Sequence, residues 1–215
     1  MKHRAKTIFR RIIRKLGFDV VRYTPPQMAL LRSNQNLHYR DLVIEEAMTP
    51  RGEISVIEAL FLGNLIRNLN DEGPIIEIGT LFGWSTLIMA CHKPIEKKLL
   101  TVDNYSWNPL GITADTHFRI TQQTLLHATR KLNVRQINLE KNEFYRTYRE
   151  GAPALVFLDA IHTYGETKAD ILWAEHVNAT IICGHDYHEE NYPGVVRAVD
   201  ESGGPKELVE TLWVL

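Results

Sequence analysis

Residues Ile75 to Ser85 read Ile-Ile-Glu-Ile-Gly-Thr-Leu-Phe-Gly-Trp-Ser, and a second apolar run, Leu99 to Val102, ends on Asp103. The first has the make-up of a buried strand that ends in a glycine turn and opens a helix. The second is a strand closed by a carboxylate. In an open parallel sheet, two such ends lie side by side at the rim where nucleotide-like ligands bind. Gly79 and Gly83 allow backbone to come close to a ligand, and Asp103 suits the paired hydroxyls of a ribose. Two later runs finish in ionisable residues: Leu158-Asp159-Ala160-Ile161-His162-Thr163-Tyr164 and Cys183-Gly184-His185-Asp186-Tyr187-His188. Carboxylates and imidazoles at one rim can move protons or hold a metal ion.

The spacing narrows the ligand. A dinucleotide site wants G-x-G-x-x-G, whose glycines and helix N-terminus cradle a pyrophosphate. The pattern here is Glu77-x-Gly79-x-x-x-Gly83-x-Ser85. A carboxylate two residues before the first glycine repels phosphate and suits a cationic amino-acid headgroup. The bland alternative is a strand-turn-helix whose glycines serve packing alone. With Asp103 in place, the pattern resembles the first motif of class I S-adenosylmethionine-dependent methyltransferases. That resemblance implies that Glu77, Gly79, Thr80, Gly83 and Ser85 hold the methionine part and Asp103 the ribose. It also implies that Lys141-Asn142-Glu143 falls beside the adenine ring, with Asn142 the candidate contact.

Asp159-x-x-His162-x-Tyr164, Asp170, Gly184-His185-Asp186, Pro193-Gly194-Val195 and Ala198-Val199-Asp200 resemble the branch that contains metal-dependent O-methyltransferases of sugars and natural products. The likeness runs from about residue 53 to the C-terminus. An alcohol is a weak nucleophile, so such an enzyme needs a base or a metal to take its proton. The resemblance implies Asp159 and Asp186 as metal ligands, with Asp159 thereby catalytic, and His162 as general base. Where this branch often carries a second carboxylate, this chain has His185. An imidazole ligand there disfavours Mg²⁺ and favours a softer first-row ion; His185 pointing away, or acting as the base, stays open. Other readings are Asp159 as a helix cap, His162 as a satisfied loop histidine, and His188 as a surface residue. His185, His188 and a carboxylate could also imitate a two-His-one-carboxylate iron site.

The elements that must position these residues follow from periodicity. A helix is expected from Ser55 through Asn70, then strand 74–80, helix 84–92, strand 98–104, helix 116–131, strand 134–140, strand 153–159, helix 164–176, strand 178–184, helix 194–201 and strand over 207–215. Strands alternating with helices imply right-handed crossovers and a parallel sheet covered on both faces. With the resemblance, the expected fold is a Rossmann-like, doubly wound α/β domain over residues 53–215, its mostly parallel sheet seven-stranded. The connection between Asp103 and the helix near 116 is long for a βα loop. Its Tyr105 and Trp107 either stack on a ligand or anchor the loop.

Residues 1–52 read as an N-terminal extension. Lys2, Arg4, Lys6, Arg10, Arg11, Arg14, Lys15 and Arg22 face one acid, Asp19. Ile8, Phe9, Ile12, Ile13 and Leu16 share one helical face, and Gly17 is a stop. This basic amphipathic helix suits packing on its own domain, a homodimer contact, or peripheral contact with an anionic membrane. The chain of 215 residues has a formal net charge of −1, which gives no pull toward nucleic acid. Two cysteines, Cys91 and Cys183, on separate elements suggest free thiols and a cytoplasmic setting. The expected activity is S-adenosylmethionine-dependent O-methylation of a small-molecule or glycan acceptor, with a divalent metal. An NAD(P)-dependent oxidoreductase and a non-catalytic adaptor on the same fold are the rivals.

Overall fold

A computed structural model describes residues 54–215; the basic helix and connector expected over 1–52 lie outside them. Helix α1 (Val56–Arg67) opens on a capping box, in which Ser55 accepts from the Glu58 backbone while Glu58 accepts from the Ser55 backbone. This reciprocal pair satisfies two otherwise orphaned donors. Strand β1 (Ile75–Ile78) leads to α2 (Trp84–His92), then β2 (Leu99–Asp103), α3 (Ala114–Thr124), α4 (Leu126–Lys131) and β3 (Val134–Asn138). Next come α5 (Lys141–Thr147), β4 (Leu155–Leu158), α6 (Tyr164–His176), β5 (Ile181–Gly184), α7 (Pro193–Asp200), β6 (Glu207–Val209) and β7 (Leu212–Val214).

The seven strands run in the order β3-β2-β1-β4-β5-β7-β6. β1 to β5 are mutually parallel, while β7 is antiparallel to both β5 and β6. All residues of β1 and β4 are buried, as strands covered on both faces require. Ile76, Ile78, Leu100, Val156, Leu158, Ile171, Ala198 and Trp213 form a central part of the core.

Three expectations are corrected. The helix over 116–131 is two helices that meet at Leu125, whose buried side chain packs against Gly83. The strand over 207–215 is a tight hairpin turning at Glu210, which has a φ of 54°. Residues 141–147, which fall in no expected element, form α5. Its N-cap is Glu140, whose carboxylate accepts from the backbone N–H groups of Asn142 and Glu143.

Candidate active site

Ile78 pairs with Val102 on one side and Leu158 on the other, and Leu158 pairs with Gly184. The residues one step further, Gly79, Asp103, Asp159 and His185, therefore stand along one edge of the sheet. The chain leaves β1 toward β2 on one side, and β4 joins it on the other. This is the topological switch point of a doubly wound sheet. The cavity at that edge is lined by residues that include Gly79, Thr80, Ser85, Asp103, Asp159 and His162, and Ile54, Trp84, Trp107 and Leu139 to Lys141 also stand on its wall.

Gly79 lines the cavity, and both glycines also serve the packing of the protein itself. Gly79 has a φ of +99°, and a Cβ there would overlap the carbonyl oxygen of Asp159. Gly83 has a φ of +88°, and a Cβ would come within 2.8 Å of Leu125. Both lie in the left-handed region that favours glycine. Their bareness brings protein against protein, and Gly79 in particular lets the ends of β1 and β4 close up.

Glu77 is fully buried and is absent from the cavity wall, so the expected direct contact with a cationic headgroup is corrected. Its carboxylate accepts from the hydroxyls of Ser85 and Thr86 and from Thr101 Oγ1 at 2.5 Å. Burial pushes its pKa up to about 7 against the pull of those three bonds, with Asp159 adding to the rise. Glu77 thus ties the first turn of α2, and Ser85 with it, to β1 and β2.

Asp103 Oδ2 accepts from the backbone N–H groups of Thr80 and Leu81, both at 2.9 Å, and Oδ1 from that of Tyr105 at 2.7 Å. A carboxylate offers about four lone-pair positions, and three are taken. Oδ1, with a single backbone bond, keeps an open position toward the cavity for the expected ribose contact. The same bonds lock the glycine turn to the loop after β2. In that loop Tyr105 is fully buried and its hydroxyl accepts from Gln136 at 2.7 Å, so it anchors. Trp107 lines the cavity and is 65% exposed, free to cover a ligand.

Asn142 is exposed, its amide bonded to Glu140, and lies off the cavity wall. The wall position expected of it is held by Glu140 and Lys141. Buried Lys141 Nζ donates to Asp170 at 2.6 and 2.8 Å and pairs with Glu166 at 2.9 Å, while Tyr145 donates to Asp170 at 2.9 Å. Asp170 is thus a structural partner of α5.

The acid–histidine cluster sits at the ends of β4 and β5. Asp159, His162 and Asp186 each offer one ligand atom, all within 4.8 Å of one another. His162 Nε2 lies 3.0 Å from Asp186 Oδ2 and 3.4 Å from Asp159 Oδ1, and its ring rests on Tyr192. The cap of α6 is Thr163, which leaves Asp159 free for the cavity. His188 is half-buried and stands outside the cluster. His185 is buried, with Nε2 at 3.2 Å from Glu58 Oε2 and Nδ1 facing Asp186 and Asp159. Burial alone would lower its pKa, but hydrogen bonds to Asp186 and Glu58 and the charge of Asp159 raise it to about 10. The same contact, with bonds from Ser55 and Thr211, outweighs burial and lowers Glu58 to about 2. Glu58 and Thr211 escape sequence reasoning because 127 and 26 residues separate them from His185.

The chain matches a family model described as a methyltransferase domain over residues 76–187, more than half its length. The chain belongs to the methyltransferase-domain family. With a seven-stranded sheet whose β7 is reversed, it is a class I S-adenosylmethionine-dependent methyltransferase. The family match stands against the oxidoreductase reading, and His188 of the iron-site reading is not part of the acid–histidine cluster. No curated protein matches the methyltransferase in sequence. Among solved structures, cofactor-bound Rv0187 from MTB is similar with a TM-score of 0.61 and 21% identity, over 85% of this chain and 87% of that one. An O-methyltransferase from Bacillus cereus in complex with SAH has a TM-score of 0.60 and 18% identity, over 89% and 95%. The O-methyltransferase TomG from Streptomyces achromogenes, in complex with SAM, has a TM-score of 0.60 and 16% identity, over 87% and 92%. These likenesses are of fold. No helix among the described residues is long and apolar enough to cross a membrane.

Proposed function

We propose that this methyltransferase moves a methyl group from S-adenosylmethionine to a hydroxyl of a small-molecule acceptor, such as a sugar, glycan or natural product. In this reading His162 is the base, and Asp159 and Asp186 hold a divalent ion. The observation that supports it is a single cavity whose wall carries the glycine turn and Asp103 together with Asp159 and His162. The neighbour TomG is described as acting in tomaymycin synthesis, in keeping with a small-molecule acceptor.

S-adenosylmethionine supplies an electrophilic methyl group, and a divalent ion supplies positive charge that acidifies a hydroxyl. The donor set fits such an ion, because Asp159, His162 and Asp186 each bring one ligand atom within 4.8 Å of the others and Asp186 Oδ2 is buried without a hydrogen-bond partner. The chain's own residues do the rest. The turn from Gly79 to Ser85, braced from below by Glu77, shapes one end of the cavity, and the open position of Asp103 takes a ribose hydroxyl. Leu139 and Trp107 offer apolar surface to an adenine ring and an acceptor. His162 Nε2 takes the acceptor's proton, and the imidazolium that results is stabilised by Asp186 and Asp159. Proton removal of this kind contributes about 10²–10⁴-fold, and alignment of donor and acceptor supplies most of the remainder.

The test is transfer of a radiolabelled methyl group to a panel of sugars, catechols and other alcohols, for wild type and His162→Gln. The reading expects label in a hydroxyl acceptor, a turnover loss of about 10²–10⁴-fold in the variant, and unchanged donor affinity. Undiminished turnover in His162→Gln, or label carried only to nitrogen acceptors, overturns it.

A further inference from the structure

We propose that His117 and Thr121 of α3 are positioning residues. From outside the cavity they hold the Leu81 carbonyl, and through it keep the glycine turn and the Asp103 carboxylate in the shape that binds the methyl donor. This rests on the placement of the donor in the preceding proposal, and not on its acceptor, base or ion.

Leu81 has a φ of 46° and Tyr105 a φ of 57°, a left-handed conformation that residues other than glycine keep only where their surroundings hold them. Asp103 holds both by their N–H groups, Leu81 at 2.9 Å and Tyr105 at 2.7 Å. The carbonyl of Leu81 is held from α3. Thr121 Oγ1 donates to the carbonyl oxygen at 2.7 Å, and His117 Nε2 lies 2.9 Å from the same oxygen. A carbonyl oxygen has two lone pairs and no proton, so it takes both bonds and the imidazole is a donor there. Nδ1 of the same ring stands 3.3 Å from the Tyr105 carbonyl oxygen, the longer and weaker contact.

His117 and Thr121 stand one helical turn apart and are the buried residues of α3, both fully enclosed. A helix that serves packing alone turns apolar side chains inward. Here the helix turns inward two hydrogen-bond donors that meet on one oxygen. The His117 ring packs against Phe82 and Tyr105, with ring centroids 4.6 and 5.2 Å away, which keeps it from swinging off that oxygen. Neither His117 nor Thr121 lines the cavity, whereas Thr80, Leu81, Phe82 and Asp103 do. Any effect of the pair on a ligand must therefore pass through the turn. With Leu81 fixed at both its N–H and its carbonyl, Asp103 Oδ2 stays engaged and the open position on Oδ1 keeps its aim. Release of the carbonyl lets Leu81 relax toward negative φ, which carries its N–H off Asp103.

The test uses the full chain and two matched pairs of variants. Thr121→Val and His117→Met remove a donor from the Leu81 carbonyl, while Thr121→Ser and His117→Gln alter the side chain and keep one. The readouts are calorimetry with S-adenosylhomocysteine and amide hydrogen exchange of the donor-free protein. The proposal expects Thr121→Val and His117→Met each to weaken binding by about 2–10-fold, and Thr121→Ser and His117→Gln to recover most of that loss. It also expects exchange at Thr80, Leu81 and Tyr105 to quicken in Thr121→Val while β1 and β4 exchange as in the wild type. Equal losses within each pair, or faster exchange spread over the whole sheet, would mean a part in packing alone and overturn it. Unchanged affinity in folded Thr121→Val and His117→Met proteins overturns it as well. If the His117 variants do not fold, the Thr121 pair decides alone. A wild type that binds no S-adenosylhomocysteine overturns this proposal and the donor placement together. The expected pattern of affinities without methylation of any hydroxyl would sink the preceding proposal and leave this one standing.

Discussion

Glu77→Gln should flatten part of the pH dependence of stability. In the folded chain the Glu77 carboxyl is raised from its ordinary 4.5 to about 7, because burial outweighs the hydroxyls of Ser85, Thr101 and Thr86. A folded pKa above the unfolded one means that the folded state holds the proton more tightly. The stability it contributes is therefore complete below pH 4.5 and is lost as pH rises through 7. The gap between 4.5 and about 7 corresponds to roughly 3 kcal/mol. Urea unfolding of wild type and Glu77→Gln at pH 5, 6, 7 and 8 isolates this group, since every other titration is common to both. Wild type should lose about 2.5 kcal/mol more than the variant between pH 5 and 8, the rest of the gap lying below pH 5. Parallel stability curves would refute the argument, because they would mean that Glu77 is ionised throughout and that its three hydroxyl donors win over burial.

Three further outcomes follow from the same geometry. Gly79→Ala forces a side chain into a φ of +99° and against the Asp159 carbonyl; the conformation alone costs about 1–2 kcal/mol, and donor affinity and turnover should fall together, read by chemical unfolding and kinetics. Asp103→Asn sets an amide against N–H groups of Thr80 and Leu81 or of Tyr105, so stability should drop by about 1–3 kcal/mol and calorimetry should show weaker donor binding. Lys141→Met leaves Asp170, which is 2% exposed, facing only Tyr145 and should cost about 3–5 kcal/mol; Lys141→Met/Asp170→Leu should recover much of that in thermal melts, and a double variant worse than the single would contradict the ion-pair account.

What the sequence discloses here is what short-range chemistry encodes. The runs ending at Gly79, Asp103, Asp159 and His185 are apolar, bounded and in the right order, so both the sheet and its ligand edge can be read from them. The interruption at Leu125 is hidden, because the residue is a good helix former and only its burial against Gly83 explains the break. Helix α5 is hidden for a related reason: Glu140 is not a common N-cap, and its carboxylate shows its role only through the bonds to Asn142 and Glu143. Residue type also says nothing of which way a carboxylate faces. Glu77 turns inward to three hydroxyls, Asp103 spends most of its lone pairs on backbone, and Asp170 belongs to Lys141. The Glu58–His185 contact joins an N-terminal helix cap to the end of β5, and no local pattern announces it.

The central claim is that one cavity holds the methyl donor between the Gly79 turn and Asp103 while Asp159 and His162 face the same space. Isothermal titration of the purified chain with S-adenosylmethionine and with its demethylated product tests this most directly, run on wild type and on Asp103→Asn. The account predicts one-to-one binding of both compounds by the wild type and a marked loss in the variant. No heat with either compound, or equal affinity in the two proteins, would contradict it.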